Sequence, residues 1–501
     1  MLEMKKVLLA AAFVFSLNLA NAQQKNTLLQ TDFWKQKPDI EAVKAEIAKG
    51  NDPSQLDVRQ MDPTSLAINA EAPLATIKYM VAQKGNAVTK GTHHSRTYLH
   101  WAVAKGNLDL INYLITNGAD INKGDSYGTP PVAYAAATGQ QNTAVYEVFF
   151  KLGIDPKKKY NNGANLLLSS IAADKDLKLA AYFASKGMSL NDVDADGATA
   201  FDYAARTGNT DFLKTLAAKG VKPTANALIN ASLGGRNTAS SLAVYQYLVD
   251  DLKLDAKFTN KEGNNVLHAI VRKPNQEEII NYFLAKGVTI NQANEEGNTP
   301  FLNAAAGKNT VLVERLLPLV SNINAVNAKG ESALTLAVSN GSPEMVTLLL
   351  AKGADVKVLD TDGNNLLYYL VQHYRSNPMG AATPAKDEFA EKLATLTAKG
   401  LSVNTLQKDG SSLFHVAIAK SDLRLLQKIA ALNVDVNAKN KEGLTVLHRA
   451  ALLAKNDEIL KYLVSIGANK SIKTDFDETA FDLAAENKFL TTNKIAVDFL
   501  K

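Results

Sequence analysis

The sequence of 501 residues contains no cysteine, and that one absence removes several chemistries together. Disulfide bonds, thiol nucleophiles, cysteine-ligated zinc and lipobox acylation are all excluded. A chain of this length can bury enough core to hold without cross-links. Excess charge of one sign is also scarce: 55 Lys and Arg stand against 50 Asp and Glu, a formal net charge of +5. Both signs are interspersed, so nothing selects a polyanion, and nucleic acid is not expected as a partner. Catalytic signatures are missing too: there is no Gly-x-Ser-x-Gly elbow, no His-Glu-x-x-His and no Gly-x-x-x-x-Gly-Lys-[Ser/Thr] loop. Gly307-Lys308 has no glycine five residues before it, and Gly234-Gly235-Arg236-Asn237 falls between helices and not after a strand. The chain therefore reads as a protein without catalytic residues, cofactor or metal.

Long apolar runs are absent everywhere except the start. MLEMKKVLLAAAFVFSLNLANAQQ has the order of a secretory leader: Lys5 and Lys6, then an apolar stretch, then Ala20-Asn21-Ala22. The stretch is too short to span a bilayer, which needs ~20 residues. Cleavage is expected after Ala22, whether synthesis begins at Met1 or Met4. The leader reads as bacterial, which makes the periplasm the expected location. No membrane span is expected after its removal.

What the sequence has in abundance is a period. Gly128, Gly163, Gly197, Gly263, Gly297, Gly330, Gly363, Gly410 and Gly443 are each followed within two residues by Thr, Ser or Asn. Their spacings are 35, 34, 66, 34, 33, 33, 47 and 33, so one unit of 33 recurs, with one degenerate unit and one insertion. Each glycine opens a phrase such as Thr97-Tyr98-Leu99-His100, Asn265-Val266-Leu267-His268 or Thr445-Val446-Leu447-His448. An alanine-rich helix follows, then a second helix with aliphatic pairs such as Leu348-Leu349-Leu350. A closing glycine, for example Gly118, Gly353 or Gly467, supplies a left-handed C-cap. Thr or Ser caps the first helix, and Pro130 and Pro300 are placed at its first position.

This grammar resembles the ankyrin repeat over essentially the whole mature chain. The resemblance implies an all-α repeat solenoid: about fourteen helix-turn-helix units with β-turn tips, stacked so that neighbours bury each other's apolar faces. The array is expected over 61–474, with capping helices at 23–60, a capping repeat at 475–501 and an insertion at 374–387. The segment 39–57 and a last helix over 491–501 are expected to give the ends polar outer faces. The unit at 225–260 lacks the tip glycine.

The resemblance also assigns His100, His268, His415 and His448 to the turn scaffold, since the family uses that histidine to brace its loop. His93 and His94 with His100 could be drawn as a metal site, but His100 is already accounted for. The family usually binds proteins on its concave side, through tips and the exposed face of the first helices. The positions implied here are His93, His94, Arg96, Lys105, Ser126, Tyr127, Thr138, Asp196, Arg206 and Thr207. Further along they are Lys261, Glu262, Arg272, Lys273, Glu295, Glu296, Lys329, Glu331, Asp362, Gln372, His373, Lys408, Asp409, Lys420, Lys441 and Glu442. Their alternating signs suit a mixed-charge protein surface. The expected function is a monomeric, non-catalytic scaffold for another protein. The alternative is an exported antagonist that blocks a partner's active site. The insertion is expected to be a tolerated loop.

Overall fold

The computed structural model describes residues 26–234, 240–375 and 386–501. The expected leader and the central part of the expected insertion lie outside the described residues. The chain divides into two compact units, Met1–Asn230 and Ala231–Lys501. Both are all-α: the 28 α-helices among the described residues pair off as fourteen helix-turn-helix units, beginning with Thr31–Lys35 and Ile40–Ala48. Among the described residues the β contribution is limited to isolated bridges such as Val326 with Ser332.

One unit shows why the sequence folds this way. Ser332 caps the helix Ala333–Asn340 by accepting the Thr335 N–H at 3.2 Å, and Thr335 answers from its own side chain in a capping box. Ser342 caps the second helix, Pro343–Ala351, with proline at its first turn where the missing N–H costs nothing. Such a nine-residue helix is only about 14 Å long and is marginal by itself. It is held by burial of Met345, Val346 and Leu349 against its neighbours. Each such side chain contributes about 1.5–3 kcal/mol when fully removed from water. The first helices bury small residues instead: Ala133, Ala135 and Ala136 in one unit, Ala450 and Ala451 in another. Their lack of bulk lets successive first helices pack closely. The second helices fill the space with larger groups, including Tyr146 edge-on to Phe183 of the next unit at 4.9 Å between ring centres.

Two sequence expectations need correction. Pro130 is the N-cap and Pro131 holds the first helical position in Pro131–Ala137, because the doubled proline moves the helix start one residue on. The expected last helix over 491–501 is two short pieces, Lys488–Thr492 and a 3-10 turn at Asp498–Leu500. Lys494 at φ 54° turns the chain between them. At the C-terminal end of the insertion, Asp387 caps the helix Glu388–Ala398 by accepting the Ala390 N–H at 3.2 Å.

Two glycines separate local from inter-unit constraint. Gly353 closes a second helix at φ 92° with open space where a Cβ would sit. Gly330 forms a tip at φ 79°, and a Cβ there would lie 2.7 Å from the Thr361 nitrogen of the next tip. Gly353→Ala should lose about 1–2 kcal/mol, the cost of a left-handed non-glycine residue. Gly330→Ala should lose roughly 1 kcal/mol or more beyond that, because the backbone of the following unit must move. Denaturant unfolding measures both, and hydrogen exchange should quicken at 360–364 only in Gly330→Ala. Equal losses would mean that the tips do not touch.

Candidate functional site

Most tips are closed by an Asn or Asp three positions before the glycine, with Tyr160 and Gln407 standing there in two others. At Asn294 the backbone N–H donates to the Asn298 carbonyl at 2.9 Å, and the Gly297 N–H donates back to the Asn294 carbonyl at 2.9 Å. The Asn294 side-chain oxygen accepts the Glu296 and Asn298 N–H groups at 3.1 and 2.8 Å. Asp125 and Asn327 accept tip N–H groups in the same paired way, and Asp194 and Asn440 do so in their own tips. With that residue turned inward, the next two point out into solvent. These Asn and Asp residues were missed in the sequence reading, although the alignment that gave the glycines contains them.

Each tip is also joined to its neighbour through the backbone. In the second unit the Glu295 N–H donates to the Glu262 carbonyl at 2.8 Å, Ala328 to Glu296 at 2.8 Å and Thr361 to Lys329 at 2.9 Å. Lys408 continues to Gly363 at 3.3 Å and Lys441 to Asp409 at 2.9 Å. In the first unit Ser126 donates to His94 and Ala195 to Asn162, both at 2.8 Å.

The four phrase histidines are buried and form a second connection. In His448, Nδ1 accepts the Thr445 N–H at 3.0 Å, and Nε2 lies 3.0 Å from the Ile472 carbonyl of the following unit. An Nδ1 that accepts must leave the proton on Nε2, which donates to that carbonyl; the ring is neutral. His100, His268 and His415 repeat this arrangement, reaching Thr129, Asn298 and Leu444 at 3.1, 3.0 and 2.9 Å. Burial lowers the pKa of all four, since the charged ring would be desolvated. Asp202 holds the same position in its unit and has the opposite response. It accepts the Thr199 and Thr224 N–H groups at 2.8 and 2.9 Å, yet burial pushes its pKa up to about 6. Its stabilisation is lost as pH rises toward that value, whereas the histidines' is lost as pH falls.

The residues singled out as partner contacts separate into two groups. Lys261, Glu262, Glu295, Glu296, Lys329, Asp362, Lys408, Asp409, Lys441 and Glu442 are all exposed on tips, as is Ser126. Lys105, Arg206, Arg272, His373 and Lys420 are exposed at the ends of their first helices, although Lys105 pairs with Glu71 at 3.4 Å and His373 Nδ1 lies 3.0 Å from the Tyr369 carbonyl. Tyr127 is 60% exposed, with its ring centre 5.1 Å from that of His94. Others are engaged within the scaffold. Arg96 pairs with Asp125 at 3.1 Å and lies over the Tyr134 ring at 4.6 Å. His93 Nδ1 lies 2.7 Å from the Arg59 carbonyl, and Asp196 accepts from Asn162 at 2.7 Å. Lys273 donates to the Leu233 carbonyl at 2.5 Å, and Glu331 accepts from Asn327 at 2.8 Å. Thr138 and Thr207 donate to carbonyls of their own helices at 2.7 and 2.8 Å. The Gln372 carbonyl takes a bond from Lys420 at 2.6 Å. Among the described residues no three His, Asp or Glu side chains gather as a metal site would require. No helix among them is long and apolar enough to cross a membrane.

Comparison with known proteins agrees with this geometry. The family described as Ankyrin repeats (3 copies) matches residues 35–125, 267–360, 301–378 and 379–497. Ankyrin repeats (many copies) matches 99–152 and 168–217. The chain is similar to human Transient receptor potential cation channel subfamily A member 1, 22% identical over 78% of this chain and 38% of that protein. It is 24% identical to E3 ubiquitin-protein ligase KEG of Arabidopsis thaliana, over 54% of this chain and 17% of the ligase. NF-kappa-B inhibitor delta of Mus musculus is 26% identical over 36% of this chain and 59% of the inhibitor. The chain thus spans less than two thirds of the length of each of these relatives.

Removing one phrase histidine tests the inter-unit bond. His448→Ala should lose about 1–3 kcal/mol at pH 7.5, since a buried N–H and a carbonyl both lose their partner. The sign of the pH effect follows from the lowered pKa. Above about 6.5 both folded and unfolded rings are neutral and the full contribution is present; below it the unfolded ring takes the proton first and stability falls. Wild type should therefore lose more stability than His448→Ala between pH 7.5 and 5. Parallel curves would show that His448 is not held neutral.

Proposed function

The chain belongs to the ankyrin-repeat family, a family of protein–protein interaction scaffolds, and from that premise we propose that it is an exported adaptor for another protein. It acts as a monomer, without catalysis, and holds its partner on the face built from the tips and the exposed ends of the first helices. The observation that carries this reading is the tip row of the second unit. Six successive tips are joined by backbone bonds and present ten exposed charges, four basic and six acidic. Charges fixed in this way need little ordering when a partner arrives. Their mixed sign favours a protein surface with the complementary pattern and disfavours a polyanion, which would select Lys and Arg throughout. In the first unit, Tyr127 beside His94 offers the kind of exposed aromatic pair that anchors interfaces.

Export rests on the leader, and the proposed location is the periplasm.

Reversing Lys329, Lys408 and Lys441 to Glu in one variant tests the face. Folding should be unchanged, because exposed positions of this kind shift stability by about 0.5 kcal/mol or less. Affinity for a partner captured by the wild type from periplasmic extract should fall roughly tenfold or more, and faster at low salt. Equal capture by the variant would move the site off this row. Separately, the chain expressed in a Gram-negative host should be recovered from the periplasmic fraction with Gln23 as its first residue by intact mass. An uncleaved chain confined to the cytoplasm would remove the export half of the proposal.

A further inference from the structure

The first helix Val446–Leu453 ends, at the side away from its tip, in two adjacent leucines that are 50% and 48% exposed. In other repeats of the second unit the same two positions hold Arg272-Lys273, Gln372-His373 and Ala419-Lys420. Polar pairs complete this helix end elsewhere, so the fold does not call for leucine there.

The connection that follows also departs from its neighbours. From the N-cap of the first helix to that of the second, the chain takes ten positions at Thr299–Asn309, Ser332–Ser342 and Ser412–Asp422, but twelve at Thr445–Asp457. Asn309, Ser342 and Asp422 each accept an N–H of the helix they open. Asp457 caps nothing with its side chain and pairs with Lys461 at 2.6 Å instead. The longer connection does not close against the shorter one of the preceding repeat, and a cavity of about 180 Å³ lies between them. Ile418 is its buried floor, Leu423 and Ile459 are half-buried walls, and Leu453 borders the opening. Every lining residue that is not exposed is aliphatic, and every polar one is exposed. At the rim Lys455 and Glu458 carry opposite signs, so the mouth does not select one charge. A space of this size suits one small apolar group and lacks the inner polar partners that would hold a water. It is too small for a cofactor or metabolite, whose sites run to about 300–1,000 Å³.

We infer that this cavity receives one aliphatic side chain of the partner protein, of about leucine size, with Leu452 and Leu453 covered by the residues around it. The inference rests on the reading that the array holds a protein on this face, and it names the apolar anchor of that contact. The tip Lys441-Glu442 opens the same repeat, and an eight-residue helix, about 12 Å long, separates it from the cavity. A partner that covers the tip therefore reaches the cavity as well. Tip charges steer and discriminate, whereas a filled apolar pocket supplies affinity.

The test uses the full mature chain, with N-acetylleucinamide and N-acetylalaninamide as probes and the isoleucine methyl signals in NMR as the readout. The leucine probe should bind saturably at roughly 1–10 mM, as suits so small a ligand, and shift the Ile418 and Ile459 methyl signals. The alanine probe lacks the branched group and should bind at least about fivefold more weakly. Leu453→Ser should weaken the leucine probe by about threefold or more, while Leu452→Ser, outside the lining, should retain it within about twofold. No saturable binding, equal binding of the two probes, unchanged binding in Leu453→Ser, or shifts confined to other isoleucines would each overturn the site. The comparison of probes needs only the wild type, so it stands whether or not the variants fold. Because no partner enters this experiment, its failure with tip-dependent capture intact removes only the cavity. Loss of tip dependence with leucine-probe binding intact would instead strike the adaptor reading.

Discussion

Many of the first helices in this protein are bonded forward at their start, to the unit that follows, and much of the remaining structure depends on that bond. A helix of four to eight residues leaves most of its N-terminal N–H groups without helical partners. The capping side chain satisfies one of them and, in the same stroke, holds the next tip. Where histidine performs this, both ring nitrogens are used. Where it is absent, other chemistry makes the same connection: Asp62 takes the Tyr98 hydroxyl at 2.6 Å and Lys90 at 2.7 Å, and Asn165 donates to Asp192 at 2.6 Å. Asn365 and Gln407 exchange two bonds, at 2.9 and 3.1 Å, across the longest interval between tips in the second unit. Where the cap is shared in this way neighbouring units are ordered together, whereas Ser332 and Thr335 close theirs within one unit.

This forward bond also separates the faces of the repeat by chemistry. Alanines let several first helices approach closely while others, such as Leu366–Gln372, bury large residues, and in both cases the apolar surface is consumed inside the stack. Polar residues that close the tips face inward, and charge is pushed to the two positions beyond them. Glu295 and Glu296 are exposed because Asn294 is not. The pattern of exposed charge is thus a by-product of tip closure, and it is rigid for the same reason.

Much of the fold was legible in the sequence because its period is dictated by backbone geometry. A glycine at positive φ recurs at most tips, so Gly330 could be read from its spacing, and the role of His448 followed from the family resemblance that the spacing revealed. What was not legible lies in side-chain partnership. Arg96 reads as an exposed cation, yet Asp125 and the Tyr134 ring hold it; nothing local in the sequence says that residues 29 positions apart will meet. Lys392 sits on an ordinary amphipathic helix, and only the placement of its ammonium under the end of another helix makes it unusual. The doubled proline at 130–131 shifted a helix start by one residue, a distinction that turn chemistry alone does not resolve.

The acceptor of each histidine's forward bond is a main-chain carbonyl, at Thr129, Asn298, Leu444 and Ile472. Four different residue types serve equally, since every amino acid carries that oxygen. The joint between units is therefore indifferent to the identity of the residue it grasps. A gene duplication or deletion that copies or removes one whole period leaves a working joint on both sides. Such an array can change its number of units, and with it the length of surface it offers, without first having to evolve a new seam.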